Sequence, residues 1–473
     1  MKRVVVIGGG ISGLAAAWAA WDEATKRPEG GAIEVLVLEA DGAVGGKART
    51  VERDGFRVEA GPTGYLDDEP VLERLVELAG LQKVPADPAA ARRFVTRGGR
   101  LREVHANPLR FATSGLLSPA GLLRLAAEPW IPRRDSESDE SVWEFARRRV
   151  GREFADRLIA PVALGVFAAD ARQLSLAAAF PRMAELEREH GSLMRAMLAL
   201  KRARRKSPGS VRTTGALTSF AGGMQSLPRE LARRAPFTVR TGARVVGVAA
   251  NGGSSPWRVA VAGDSESVPA DALVLAGDLA ATAGLLAGPA SGAARMLGEI
   301  SNPGLAVVAL GFGAEALART PNGFGVLIPR GEGYRTLGVL WDSRLFAGRS
   351  PDGTILMRAM IGGGTDPEAA ALAEHELAAV ARAEVMRLFG LREPPVFELV
   401  TRWPQAIPQY HLGHPARVRA IEGAMERARA RTPGLYLAGN YLHGVAFGKT
   451  AATGWTAGRR AARGLFALEP ARA

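Results

Sequence analysis

Gly8-Gly9-Gly10-Ile11-Ser12-Gly13 carries the spacing G-x-G-x-x-G, directly after the apolar run Val4-Val5-Val6-Ile7 and at the head of an alanine-rich segment. A strand, a turn and a helix in that order make a cradle for a pyrophosphate. Gly8 permits the tight turn, Gly10 lets phosphates reach backbone N–H groups, and Gly13 with Ala17 brings helix and sheet together. Ile11 and Ser12 fall in the first helical turn, where free N–H groups and the positive end of the helix dipole meet an anion. Glu39 follows 26 residues after Gly13, at the end of the next apolar run. Its carboxylate is placed to accept hydrogen bonds from ribose hydroxyls and to disfavour a 2′-phosphate. The combination predicts a bound dinucleotide.

A second glycine turn, Gly45-Gly46-Lys47-Ala48-Arg49, comes soon after Glu39-Ala40, and its two cations suit further pyrophosphate contact. Gly448-Lys449-Thr450 looks like the end of a phosphate loop, but His443 stands where that loop needs its leading glycine. Of six His, only His411 and His414 are neighbours, and they lack a third ligand, so no metal site is expected. No nucleophile elbow with Ser, His and Asp is present. The absence of Cys removes disulfides, thiolate metal sites, iron–sulfur clusters and a thiol nucleophile.

The elements that must position these residues are legible in outline. Arg3 to Glu39 reads strand, turn, helix, strand, with a polar loop over residues 22–32. Residues 90–210 show helical periodicity and many Arg; Leu116, Leu117, Leu122, Leu123, Leu125 and Trp130 give an apolar face. The run from Lys201 to Lys206 reads as a solvated loop. Strands return at 237–240, 244–248, 257–261 and 272–275, and a last strand before Gly439 precedes a helix from about Ala451 to Phe466.

A chain of 473 residues should hold two or three domains. Its net charge of +13 favours anionic partners, but the Arg are scattered without interleaved aromatics, so nucleic acid is not expected. Met-Lys-Arg runs straight into a strand, and no stretch of about 18 apolar residues occurs. The expectation is a cytoplasmic chain, soluble or peripheral on a membrane.

Glu39-Ala40 with Gly45-Gly46-Lys47 and Thr50 resembles a motif of the flavin-containing amine oxidase superfamily. Leu435-Tyr-Leu-Ala-Gly439-Asn440 with Gly444-Val445-Ala446 is similar to its closing strand and helix. Further motifs resemble the oxygen-dependent protoporphyrinogen oxidases: Glu59-Ala60-Gly61-Pro62-Thr63-Gly64, Gly165-Val166-Phe167-Ala168, Gly323-Phe324-Gly325-Val326-Leu327-Ile328-Pro329, Leu337 to Leu340, Met360 to Gly363, Arg402-Trp403-Pro404 and Ile407 to His414. They occur in order over nearly the whole chain. Phe447-Gly448-Lys449-Thr450 departs from the acidic residue and Cys that many members carry there.

The resemblance implies an α/β fold: a Rossmann-like FAD-binding domain, a mixed-sheet substrate-binding domain and a helical membrane-binding domain. Residues 1–89, 211–285 and 399–473 would bind FAD, 90–210 would meet the membrane, and 286–398 would bind substrate. It implies non-covalent FAD held by Gly8, Gly9, Gly10, Ile11, Ser12, Gly13, Glu39, Ala40, Gly46, Lys47, Gly61, Pro62, Thr63, Gly64, Val245, Trp403, Gly439, Asn440, Gly444, Val445 and Ala446. The implied substrate is protoporphyrinogen IX, with coproporphyrinogen III, or a substrate of another oxidase in the superfamily, as the alternative. Arg93 would pair with a propionate, and Gly165, Phe324, Leu327, Leu340 and Met360 would wall the substrate. Flavin N5 would take the hydride, so no catalytic side chain is assigned. The remaining implied partners are O2, giving H2O2, a membrane surface, a second copy of the chain and ferrochelatase as acceptor of the product.

Overall fold

The computed structural model describes residues 1–26, 33–134, 138–206, 215–253 and 255–467. In chain order, the elements that build the site begin with β1 (Lys2–Ile7), α1 (Ile11–Thr25) and β2 (Ile33–Leu38). β3 (Phe94–Arg97), β4 (Arg100–Glu103), α2 (Ala160–Phe167) and α3 (Leu193–Lys206) follow. Next come β5 (Thr238–Arg240), β6 (Ala272–Leu275), β7 (Leu305–Phe312), β8 (Gly325–Leu327), β9 (Thr336–Leu340), β10 (Ile355–Gly362) and α4 (Glu374–Phe389). β11 (Phe397–Trp403), β12 (Leu435–Leu437) and α5 (Phe447–Ala467) complete the set.

Two large sheets carry the architecture. The first is parallel, in the order β5-β2-β1-β6-β12. Val4, Val5, Val6 and Leu273 to Leu275 are buried, as expected of a parallel sheet covered on both faces. Helices α1 and α5 pack on one side almost backbone to backbone: a Cβ on Gly454 would lie 1.9 Å from Ser12 O, and one on Gly458 2.0 Å from Ala16 O. The second sheet runs β11-β7-β10-β9-β8-β3-β4 and is antiparallel except where β8 meets β3.

Side chains alternate across the second sheet. Phe94, Val326, Val339, Ala359 and Val308 share one face and pack in a cluster with Leu377, Ala381 and Val385 of α4. Val95, Leu327, Gly338 and Met360 are in register on the other face. That face meets α2: a Cβ on Gly165 would lie 2.5 Å from Leu327 Cδ2, and Met360 packs with Leu164 and Ala168.

The structure differs from four sequence expectations. Asp22 to Thr25 are not loop but the last turn of α1, where Asp22 is bound by Lys26 at 2.6 Å and by Arg74; residues 27–32 lie outside the described residues. The basic run 201–206 ends α3 rather than forming a loop, because Arg, Lys and Ala are strong helix formers. The segment beginning near residue 90 opens on strands, since β3 and β4 form a hairpin of the second sheet. The apolar face read between 116 and 130 is also divided: Leu116 and Leu117 are buried, whereas Leu123 and Trp130 are exposed.

Candidate active site

The glycine turn forms as its spacing requires. Gly8 has φ +112°, open to glycine but rarely to other residues, and its N–H donates to Leu38 O at 2.8 Å. Gly13 is packed tightly, with a would-be Cβ 1.8 Å from Gly8 O. Gly10 is different: a Cβ there would meet nothing within 4 Å. It caps α1 without any side-chain hydrogen bond. Beside it, Gly45 forms a bridge to Gly10, and Gly45 N donates to Gly9 O at 3.0 Å. An open trough at a helix N-terminus, floored by Gly10 and Gly46, suits a pyrophosphate.

Glu39 lies at the end of β2. Its carboxylate accepts from Gly9 N at 2.5 Å and from Asp41 N at 2.8 Å, which fixes it beside the turn. Ala243 N donates to Glu39 O at 2.7 Å, bringing the strand that starts at Val245 to the same corner. Lys47 donates to Ala406 O at 2.6 Å, a neutral partner. Burial holds its ammonium below the usual lysine range, with Asp278 opposing. A half-buried cation that lacks a contacting carboxylate among the described residues is consistent with an anionic ligand nearby. Arg49 lies over the Trp403 ring at 5.4 Å and pairs with Asp41 at 3.2 Å.

The loop Glu59 to Gly64 is tied to the second sheet. Trp403 Nε1 donates to Ala60 O at 2.7 Å. Arg358 of β10 donates to Glu59 O, to Gly61 O at 3.1 Å and to Thr63 Oγ1. The same guanidinium is paired with Asp342 at 2.5 and 2.8 Å, and both side chains are buried. Burial lifts the Glu59 carboxyl above its usual range, with Arg349 opposing at 3.0 Å.

The segment from Gly439 to Ala446 is clamped by Tyr410, whose hydroxyl donates to Asn440 O and accepts from Gly444 N at 2.9 Å. His414 stacks on Tyr410 with ring centroids 4.0 Å apart. Burial pushes His414 down to about 4, so the ring is neutral at pH 7. Val445 packs in the cluster that contains Phe167 and Tyr410, and Ala446 O accepts from Thr450 N at 2.9 Å in the first turn of α5.

Among the substrate candidates, Gly165, Leu327 and Met360 converge between α2 and the second sheet. Leu340 stands in register with Arg358, one row away from Met360. Arg93, just before β3, is exposed and has its guanidinium over the Phe324 ring at 5.4 Å. Arg358 and Asp342 had no place in the sequence reading, and Tyr410 entered it only within the motif Ile407 to His414. A single cation inside the apolar strand Ile355 to Gly362 was the available signal for Arg358.

A parallel dinucleotide sheet, coupled through its loops to the apolar face of a mixed sheet, defines a flavoprotein-type oxidoreductase fold. The family described as flavin containing amine oxidoreductase matches residues 11–465, and the chain belongs to it. It is 31% identical to protoporphyrinogen oxidase 2 of Arabidopsis thaliana, over 96% of this chain and 92% of that one. It is 29% identical to coproporphyrinogen III oxidase of Bacillus subtilis, over 94% of each chain. An Exiguobacterium sp. 255-15 crystal structure, provisionally named a protoporphyrinogen oxidase, superposes with TM-score 0.81 at 22% identity, covering 99% of both chains.

Proposed function

We propose that the chain is an FAD-dependent oxidase that converts protoporphyrinogen IX to protoporphyrin IX, with coproporphyrinogen III as the alternative substrate. The observation that carries this is the apolar row Val95, Leu327, Gly338 and Met360 facing Gly165, on a sheet whose Arg358 holds the loop from Glu59 to Gly64. When bound, flavin supplies the hydride acceptor, and O2 restores it with release of H2O2. The chain's own residues position and exclude water. Leu327 and Met360 set the tilt of a flat apolar disc, and Gly165, lacking a side chain, lets α2 close onto Leu327 and fix it. Arg93 pairs with a propionate. Arg358, Trp403 and Tyr410 hold the loops that meet the isoalloxazine. FAD is held non-covalently by the glycine turn, Glu39, Lys47, the loop from Gly61 to Gly64, Val245, Trp403 and the segment from Gly439 to Ala446. Residues 1–89, 211–285 and 404–473 form the cofactor domain, 286–403 with the hairpin 94–103 the substrate domain, and 104–210 the membrane-facing domain. The decisive test is anaerobic mixing of FAD-loaded protein with protoporphyrinogen IX or coproporphyrinogen III. Bleaching of the flavin and growth of porphyrin fluorescence are expected. A flavin that stays oxidised with both substrates overturns the reading.

The same reading includes a peripheral membrane contact, product handover to ferrochelatase and a homodimer. Among the described residues, no helix is long and apolar enough to cross a membrane. Leu109, Leu123 and Trp130 are 80%, 74% and 78% exposed, too apolar for three such neighbouring helical segments to leave in water without use. Arg110 and Arg134 are exposed close by in sequence. The expected result is flotation with anionic liposomes that weakens as salt is raised. Equal partitioning with and without lipid would remove this part of the proposal. Pull-down of ferrochelatase and the mass measured in solution test the other two.

A further inference from the structure

At the Val95 end of the apolar row lies a cavity of about 230 Å³ that the reading above does not use. Its walls include Val95, Arg97, Leu116, Arg157, Arg330 and Glu332. Val95 is the residue in register with Leu327, and Leu116 and Leu327 pack in one cluster with it. The cavity therefore continues the substrate face of the sheet toward the free end of β3. Arg93, Val95 and Arg97 alternate along that strand and share its face. Arg93 and Arg97 are separated by about 13 Å at the rise of an extended strand.

The charges in this cavity are not arranged for stability. Among the described residues the Arg97 side chain has no hydrogen-bond or ion-pair partner, and in the hairpin it stands directly opposite Arg100, a like-charge pairing that costs stability. Arg157 is paired with Glu153, yet Arg97 still pushes its guanidinium below the usual range, after burial itself. Among the described residues, Arg330 has neutral partners in contact, Thr365 Oγ1 at 2.9 Å and Arg335 O at 3.2 Å, with Asp366 and Glu384 acting on it from further off. The two carboxylates in the wall are engaged elsewhere. Asp156 accepts from Trp143 Nε1 at 2.6 Å, and Glu332 accepts from Gly98 N at 3.2 Å and Gly99 N at 3.1 Å. Arg97, unpaired among the described residues, and Arg330, in contact with neutral groups while Asp366 and Glu384 act on it from further off, face a cavity that shares Val95 with the apolar row, and they are arranged to receive a carboxylate.

We propose that Arg97 and Arg330, with Arg157 behind them, form a second carboxylate subsite. It takes a propionate on the side of the substrate disc away from the one held by Arg93. This rests on the porphyrinogen oxidase reading. A substrate bearing propionates on all four rings can fill both subsites at once. One with vinyl groups on two rings leaves the second subsite with an apolar substituent against desolvated cations. Of the two substrates of the functional proposal, the second subsite favours the alternative, coproporphyrinogen III, over protoporphyrinogen IX.

The test is steady-state kinetics of the FAD-loaded protein with each substrate, for wild type, Arg97→Gln, Arg330→Gln and Arg97→Lys. In both Gln variants the kcat/KM ratio of coproporphyrinogen III to protoporphyrinogen IX should fall by about tenfold or more, through KM for the former. Arg97→Lys should recover part of it. Flavin content and melting temperature, read for every variant, identify any that fails to fold. Arg97→Gln and Arg330→Gln proteins that fold, bind FAD and leave the ratio unchanged overturn the subsite. So does an equal loss for both substrates. A wild type that oxidises neither porphyrinogen overturns the functional reading instead, so the two failures are distinct.

Discussion

Gly10→Val should give a folded protein without FAD. The reason is the contrast among glycines of one turn. A Cβ at Gly13 would lie 1.8 Å from Gly8 O, so any side chain there must break the packing of α1 on the sheet. A Cβ at Gly10 meets no protein atom within 4 Å, and its φ of −73° is open to any residue. Space kept clear beside free N–H groups is space for a ligand. The isopropyl group would occupy that trough without disturbing the apo fold. Heating the purified variant should release no FAD, and activity should be lost. Wild type at 100 times the FAD dissociation constant should gain about 2.7 kcal/mol of stability from binding, and the variant none. Gly13→Val should instead fail to give folded protein. Full FAD occupancy in Gly10→Val would show that the pyrophosphate lies elsewhere.

The parts of this molecule legible in the sequence are those in which cause and effect are close along the chain. The turn at Gly8 to Gly13, its strand and its helix are specified within about twenty residues, and the register β1–β2–β6 follows from buried apolar runs. The hairpin β3–β4 was also available. Gly98 and Gly99, both with positive φ, separate Phe94-Val-Thr-Arg97 from Arg100-Leu-Arg-Glu103, which is the two-residue hairpin pattern. Its high Arg content drew the reading to a helix. The run 201–206 misled in the opposite direction, because charge marks exposure and does not separate a helix from a loop. What no local pattern could supply is closure between distant segments. Arg358 reaches residues 295 to 299 positions earlier in the chain, and Tyr410 reaches Asn440 and Gly444. Spacing rules apply within an element; these contacts depend on how two sheets are stacked.

Arg358→Met should be the most damaging substitution on the substrate side, for two separable reasons. The first is stability. Arg358 and Asp342 are each 2% exposed, and removing the cation leaves an uncompensated carboxylate inside the protein. Breaking a buried pair in this way costs about 3–5 kcal/mol, a large part of a normal folding free energy. The second is position. The guanidinium also holds Glu59 O, Gly61 O and Thr63 Oγ1, so it is the strut between β10 and the loop assigned to the flavin. The double variant Arg358→Met/Asp342→Leu separates the two. Replacing both partners by apolar groups of similar size removes the stranded charge, and much of the lost stability should return. The three loop carbonyl and hydroxyl contacts do not return with it. The double variant should therefore melt close to wild type while binding FAD more weakly and turning over more slowly, since a shift of about 1 Å between reacting groups can cost on the order of 100-fold in rate. Thermal unfolding and FAD titration of the two variants would decide it. If stability and FAD affinity recover together in the double variant, Arg358 is only half of an ion pair; if affinity stays low at restored stability, it is the residue that sets the flavin loop against the substrate sheet.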